Sequence, residues 1–354
     1  MGKKGLVRFF TFSPLLVLAG LMILGIAACH GTANNRAANA DLSPSPAADC
    51  QTISHQMGKT QVCDQPQRIV VLGPYVLEPL LALGLQPAGF ADQERLHQGD
   101  YDNPSQQIPY LGSRVTSRPA NVGTAYTPSI EAILKLQPDL ILGTEANTSQ
   151  YQTLARIAPT LLLKRSDTET NLQAIAQAVG QPEKAEQLLS KTKQQIAIAR
   201  KDFAPVVTDH PRMSILTSDG AEFYLINAVD NLCSSLVSDL GFQLVYPLGL
   251  NGSKLNDAIP VSSETLAQLN DADSIILLGS PSSERSRSNG TNNEAKHPMR
   301  SLEQAWNKNA IAQSLRASQA KRVYFIPVYL CLGLPGSIGT ELYLNELREQ
   351  LLPN

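Results

Sequence analysis

A continuous apolar run at residues 69–72 opens a series in which short apolar runs alternate with stretches of helical period. An apolar run with no polar alternation suits a strand buried on both faces of a sheet. Residues 140–142, 160–163, 213–217, 275–278 and 323–326 repeat it, and 88–90, 222–226 and 244–246 add shorter strands. Between them, residues 76–83, 151–157, 172–179, 232–240, 265–269 and 338–351 carry helical spacing, and Thr127-Pro128 opens another helix as cap and first position. Gly84 and Gly241 stand where a helix end favours a left-handed residue. This alternation predicts an α/β protein built on mostly parallel sheets covered on both faces. Residues 113–126 have no period and read as a loop with two arginines.

One helix differs from the rest. Residues 182–203 begin at Pro182 and contain no Gly or further Pro before Pro205. Ala185, Leu188, Thr192, Ile196, Ala199 and Phe203 make a single stripe along roughly 33 Å. With one strand–helix series before it and one after, it reads as a stiff connector between two lobes. The same period also fits a crossover helix inside one large domain. An echo between the halves favours two related lobes. Ser129-Ile130-Glu131 is followed by a short helix, an acidic turn and an apolar strand ending at Gly143. Ser262-Ser263-Glu264 is followed by the same succession, ending at Gly279. The simplest role for Glu131 and Glu264 is to complement the positive end of a helix dipole.

The first 28 residues change the picture of where this fold works. Lys3, Lys4 and Arg8 precede an apolar core, and Ile26-Ala27-Ala28-Cys29 closes it, resembling the lipobox of bacterial lipoproteins. Residues 1–28 are thus expected to be a signal peptide and Cys29 the lipid-bearing N-terminus. Residues 29–48 form a flexible tether, 49–181 an N-terminal lobe, 182–204 the linker helix and 205–354 a C-terminal lobe. An uncleaved membrane anchor is the other reading. Either way the lobes lie outside the cytoplasm, at the periplasmic face of the inner membrane. Without the three leader cations the net charge of −2 becomes −5, which excludes a nucleic-acid-binding balance. A compartment that permits disulfides leaves four further cysteines to pair. Cys50 and Cys63 flank a hairpin-like segment with Gly58 at its turn, so a bond between them is expected. For Cys233 and Cys331 only the even count argues.

No catalytic motif occurs, and the five histidines are scattered, so direct metal capture and cofactor chemistry are not expected. Ligands bind open α/β sheets at the carboxyl ends of the strands. The loops there carry Tyr75, Arg114, Arg118 and Tyr126 in the first half, and Tyr224, Arg285, Arg287 and Tyr329 in the second. Arginine forks pair with oxygen-rich anions and tyrosine adds an apolar wall with a hydroxyl. The set suits an anionic small molecule held between lobes, with Arg114 foremost.

Residues 66–72, Leu77-Glu78, residues 81–85, residues 110–114, Asn121-Val122-Gly123, residues 129–143, Lys321-Arg322-Val323-Tyr324 and Gly336-Ser337-Ile338-Gly339-Thr340-Glu341 together resemble the iron-siderophore-binding lipoproteins of ABC importers, of the ferric citrate and ferric hydroxamate type. The resemblance spans about residues 50–354. It implies two Rossmann-like lobes joined by one rigid helix, a ferric siderophore in the cleft, delivery to an ABC permease, and a monomer without enzymatic activity. It also implies that Glu131 and Glu264 dock on permease arginines. Haem or cobalamin binding on the same fold, or an envelope hydrolase, are the alternatives.

Overall fold

A computed structural model describes residues 50–93, 99–218, 222–226, 231–248, 250, 259–279 and 299–352. Residues 48–354 form one compact unit, and the unit of residues 1–47 lies outside the described residues, as does Cys29.

The described chain begins with a hairpin of β1 (Cys50–His55) and β2 (Gly58–Cys63). Cys50 and Cys63 sit opposite each other and are disulfide-bonded, as expected. The first sheet then assembles from β3 (Ile69–Leu72), β4 (Gly89–Asp92), β5 (Ala120–Thr124), β6 (Leu140–Thr144) and β7 (Thr160–Leu163). Its order is β5-β4-β3-β6-β7 and every pairing is parallel. All residues of β3, β6 and β7 are buried, which is why their sequences are almost wholly apolar. Helices α1 (Pro74–Ala82), α2 (Pro104–Gln107), α3 (Ile130–Leu136), α4 (Tyr151–Leu154) and α5 (Thr168–Ala178) surround this sheet. The hairpin covers the β7 edge, where the Gln56 N–H donates to the Leu162 carbonyl at 3.0 Å.

Helix α6 (Pro182–Asp209) follows, 28 residues and about 42 Å long. It outruns the expected end near Phe203. Pro205 removes one ladder hydrogen bond, but Val206 and Val207 pack on the second-lobe core and carry the helix onward.

The second sheet holds β8 (Arg212–Ser218), β9 (Phe223–Leu225), β10 (Gln243–Leu244), β11 (Ile259–Pro260), β12 (Ser274–Gly279) and β13 (Val323–Pro327). Its path is β11-β9-β8-β12-β13, with β10 also beside β8; β8, β12 and β13 are parallel, while β9 runs against β8. Helices α7 (Leu232–Asp239), α8 (Ser263–Ala267), α9 (Arg300–Lys308), α10 (Ala310–Ser314), α11 (Arg316–Gln319) and α12 (Ser337–Leu351) complete the lobe. Trp306 is buried in its core against Phe223. Cys233 and Cys331 are bonded, joining α7 to the π-helical turn Tyr329–Gly333.

The fold is therefore two α/β lobes joined by one long helix. The echo is topological as well as local. In each lobe a serine caps the helix, Ser129 before α3 and Ser262 before α8, and a glutamate is its second residue. The following strand, β6 or β12, pairs in parallel with the lobe's opening strand, β3 or β8. Two helices reach both cores. Ala185 of α6 lies in the first and Ala199 and Phe203 in the second; Ile338 of α12 lies in the first and Tyr343, Leu344 and Leu347 in the second.

Candidate ligand site

The carboxyl ends of the first-lobe strands converge. After β3, Gly73 adopts φ +112° and turns the chain directly into α1, placing Tyr75 two residues on. A side chain at Gly73 would be strained at that φ and would crowd the Cβ of Ala125. After β6, Asn147 folds the turn back. Its Oδ1 accepts from the Thr144 N–H at 3.1 Å, and its Nδ2 donates to the Ala125 carbonyl at 2.7 Å. Gln150 Nε2 donates to the Tyr126 carbonyl at 3.2 Å, and Gln93 Nε2 donates to the Tyr126 hydroxyl at 3.3 Å.

Arg165, two residues past β7, completes this group. Its Nε donates to Glu145 Oε1 at 2.7 Å and its backbone N–H to Oε2 at 3.1 Å. Its guanidinium lies 5.3 Å from the centre of the Tyr75 ring and hydrogen-bonds that side chain. Burial raises the Tyr75 phenol above its ordinary range, and Arg165 opposes the rise. Burial likewise disfavours charge on Arg165, but the Glu145 carboxylate outweighs it and holds the guanidinium cationic.

The second lobe contributes Tyr329, just beyond β13. Its ring stacks on Tyr110 with centres 5.5 Å apart and planes 24° apart. Tyr110 sits at φ +60°, an unusual conformation for a bulky residue and one that concentrates at binding sites. The Tyr329 hydroxyl is sealed from solvent and has no hydrogen-bond partner among the described residues. Burial, with the Asp92 carboxylate adding to it, pushes this phenol well above its ordinary range. Tyr101, packed on Phe90, is raised for the same two reasons. A cavity of about 240 Å³ runs behind Tyr75 between the lobes, lined by Glu78, Asn171, Lys193, Leu232 and Thr340 among others.

Of the residues nominated from sequence, Tyr75, Tyr126 and Tyr329 are thus brought together. Arg114 is turned toward the last helix instead, pairing with Glu341 of α12 at 3.4 Å, both side chains about two-fifths exposed. Arg118 is exposed. Tyr224 is on β9, its hydroxyl donating to Glu222 at 2.8 Å. Arg285 and Arg287 lie outside the described residues. Arg165, Glu145, Tyr110, Tyr101 and Asp92 were missed, although Arg165 satisfies the same strand-end rule that nominated the others. Glu131 and Glu264 are both exposed. Glu131 is held below the usual carboxylate range by Lys135, whose ammonium is 2.8 Å away; Glu264 is held there by its own backbone N–H and the Ser262 hydroxyl.

Residues 69–330 match the family model described as periplasmic binding protein. The chain belongs to the periplasmic binding protein family. This binding protein is 28% identical over 242 residues to the Fe(3+)-citrate-binding protein YfmC of Bacillus subtilis, covering 66% of the chain and 70% of the relative. It is 27% identical over 226 residues to the iron(3+)-hydroxamate-binding protein FhuD of the same organism, covering 63% and 66%. Its fold matches the crystal structure of Staphylococcus aureus SirA complexed with staphyloferrin B, with a TM-score of 0.65 and 22% identity over 85% of this chain and 98% of that one.

Proposed function

We propose that this periplasmic binding protein captures a ferric siderophore of the citrate or hydroxamate type and delivers it to an ABC permease of the inner membrane. The observation that carries the reading is the group of phenols Tyr75, Tyr110, Tyr126 and Tyr329, gathered from both lobes, with the Arg165 guanidinium against the Tyr75 ring. Such walls grip a chelate through apolar faces and hydroxyls, while the siderophore supplies the iron's own ligands. The names of the two relatives support an iron chelate as cargo. The protein then works as a carrier without cofactor or turnover, a monomer tethered by lipid on Cys29 and the segment 29–48 on the periplasmic face. Glu131 and Glu264 serve as the docking pair. Arg114, Arg118, Tyr224 and Arg285 remain proposed contacts, with Arg114 acting through its tie to α12.

Calorimetry with ferric citrate and a ferric trihydroxamate tests the cargo directly. Micromolar or tighter binding of one of them, weakened at least tenfold by Tyr75→Ala or Arg165→Ala, is expected. Binding of neither, or a Soret band on adding haem with no response to ferric chelates, would sink the reading. Calorimetry suits the question better than tryptophan fluorescence, because Trp306 is buried in the second-lobe core.

A further inference from the structure

Large apolar side chains exposed on this surface are few among the described residues: Met57, Tyr110, Tyr126, Leu134, Ile198 and Leu248. Single exposed leucines are ordinary, so exposure alone says little about Leu134, 57% exposed, or Leu248, 90% exposed. Their placement says more. Leu134 is three residues past Glu131 on α3, hence on the same face of that helix. The matching position in α8 is Ala267, three past Glu264 and too short to play the same part. Leu248 takes its place from another segment. Its N–H donates to Gln268 Oε1 at 3.0 Å, and Gln268 is four residues past Glu264, where the first lobe has Lys135. An exposed leucine thus lies one turn from Glu131 on α3 in one lobe, and in the other an exposed leucine is tied through its backbone to Gln268, one turn from Glu264.

We propose that the docking face of each lobe is a carboxylate coupled to an exposed leucine, Glu131 with Leu134 and Glu264 with Leu248. The partner is the permease, which presents to each lobe a cationic side chain beside an apolar socket. This rests on the docking role given above to the two glutamates. Charge fixes the chemistry of the partner. The Glu131–Lys135 pair is almost fully exposed, and such pairs are weak, so Lys135 yields readily to a cation offered from outside. A leucine seated in a socket excludes water from the neighbouring ion pair and strengthens it. Because the lobes repeat the motif, the partner presents the matching pair twice, and the two contacts reinforce each other as a tethered bivalent interaction.

The test uses the full lipid-anchored protein in the cells that make it, with photoreactive benzoylphenylalanine at single positions and products identified by mass spectrometry. Positions 134 and 248 should each capture the transmembrane subunit of an ABC importer, and Ile198, also exposed but on α6, should not. Leu248→Ser should lower the yield at position 134 by about tenfold or more, and Leu134→Ser the yield at 248, through loss of the second tethered contact. Probes at Lys135 and Ser263 separate the two readings. If they capture the permease while 134 and 248 do not, or if the serine changes leave the yields alone, the leucine proposal is overturned and glutamate docking stands. If none of the four captures it, or if only a second copy of this chain is captured, both fall.

Discussion

Glu78 sits on α1 of the first lobe, yet both its oxygens serve the start of α12. Oε2 accepts from the Gly336 N–H at 2.7 Å and Oε1 from the Gly339 N–H at 2.9 Å. The carboxyl is fully buried, which raises its pKa, and the N–H donors work against the rise. Two glycines permit this close approach, Gly336 to the carboxylate and Gly339 to the preceding turn. A Cβ on Gly336 would stand 2.8 Å from the carboxylate, and one on Gly339 would strike the Leu334 carbonyl. Glu78→Ala leaves two N–H groups without their acceptor, at about 1–3 kcal/mol each. We expect a loss of roughly 2–6 kcal/mol in urea unfolding, and a loss below 1 kcal/mol would show that water replaces the carboxylate. His55 gives a pH dependence. Its Nδ1 accepts from the Leu162 N–H at 3.3 Å and its Nε2 lies 2.8 Å from Thr60 Oγ1, so the ring is bound in its neutral form. Burial lowers its pKa below 6.5. A depressed folded value means the contribution is complete above that pH and is lost as pH falls through the folded value. The ring is only partly buried, so the effect is at most about 1 kcal/mol. Urea midpoints taken from pH 7.5 to 5 should fall more for the native protein than for His55→Gln.

Among the elements, α6 was legible from its stripe, while its length was not. The proline that reads as a stop in sequence is overridden by burial of neighbouring valines. Strand β5 escaped notice for the opposite reason. It is an edge strand holding Asn121 and Gly123, with only Val122 fully buried, so it has no apolar run to read. Its place is fixed by β4, with the Ala120 N–H donating to the Ala88 carbonyl at 3.0 Å. The turn Tyr329–Gly333 depends on a covalent tie. Cys331, two residues from Tyr329, is bonded to Cys233 across 98 residues of chain. Removing a loop closure of that size costs about 4–5 kcal/mol by chain entropy. Cys233→Ser with Cys331→Ser should therefore lower the thermal midpoint and also weaken ligand binding by loosening Tyr329. Unchanged affinity in a folded variant would show that the turn holds itself.

At the scale of the whole two-lobed unit, the connection is more than one helix. Helix α6 crosses once, α12 packs in both cores, and Glu78 and Arg114 of the first lobe both grip the start of α12. A hinge needs a few residues free to change φ and ψ, and these ties withhold that freedom. Scattering from the protein without residues 1–47 should show a radius of gyration that changes by less than about 1 Å on adding a bound ferric chelate. A larger contraction would contradict the bracing. If the bracing holds, Glu78→Ala should increase the response.

The sequence by itself determined the class of fold, the order of its elements and the repeat of Ser-x-Glu before a strand, because these rest on local periods and caps that neighbouring residues specify. It also placed Tyr75, Tyr126 and Tyr329 at strand ends. Only the tertiary structure decided which charged groups meet. Arg114 faces Glu341 across 227 residues of chain and Arg165 faces Glu145. An arginine looks the same in sequence whether its fork points into a cleft or onto a helix of the other lobe. The stretches around Glu78 and Gly336 looked like two separate motifs; they are one contact, since a buried carboxylate and a helix start satisfy each other only when folding brings them within hydrogen-bond reach.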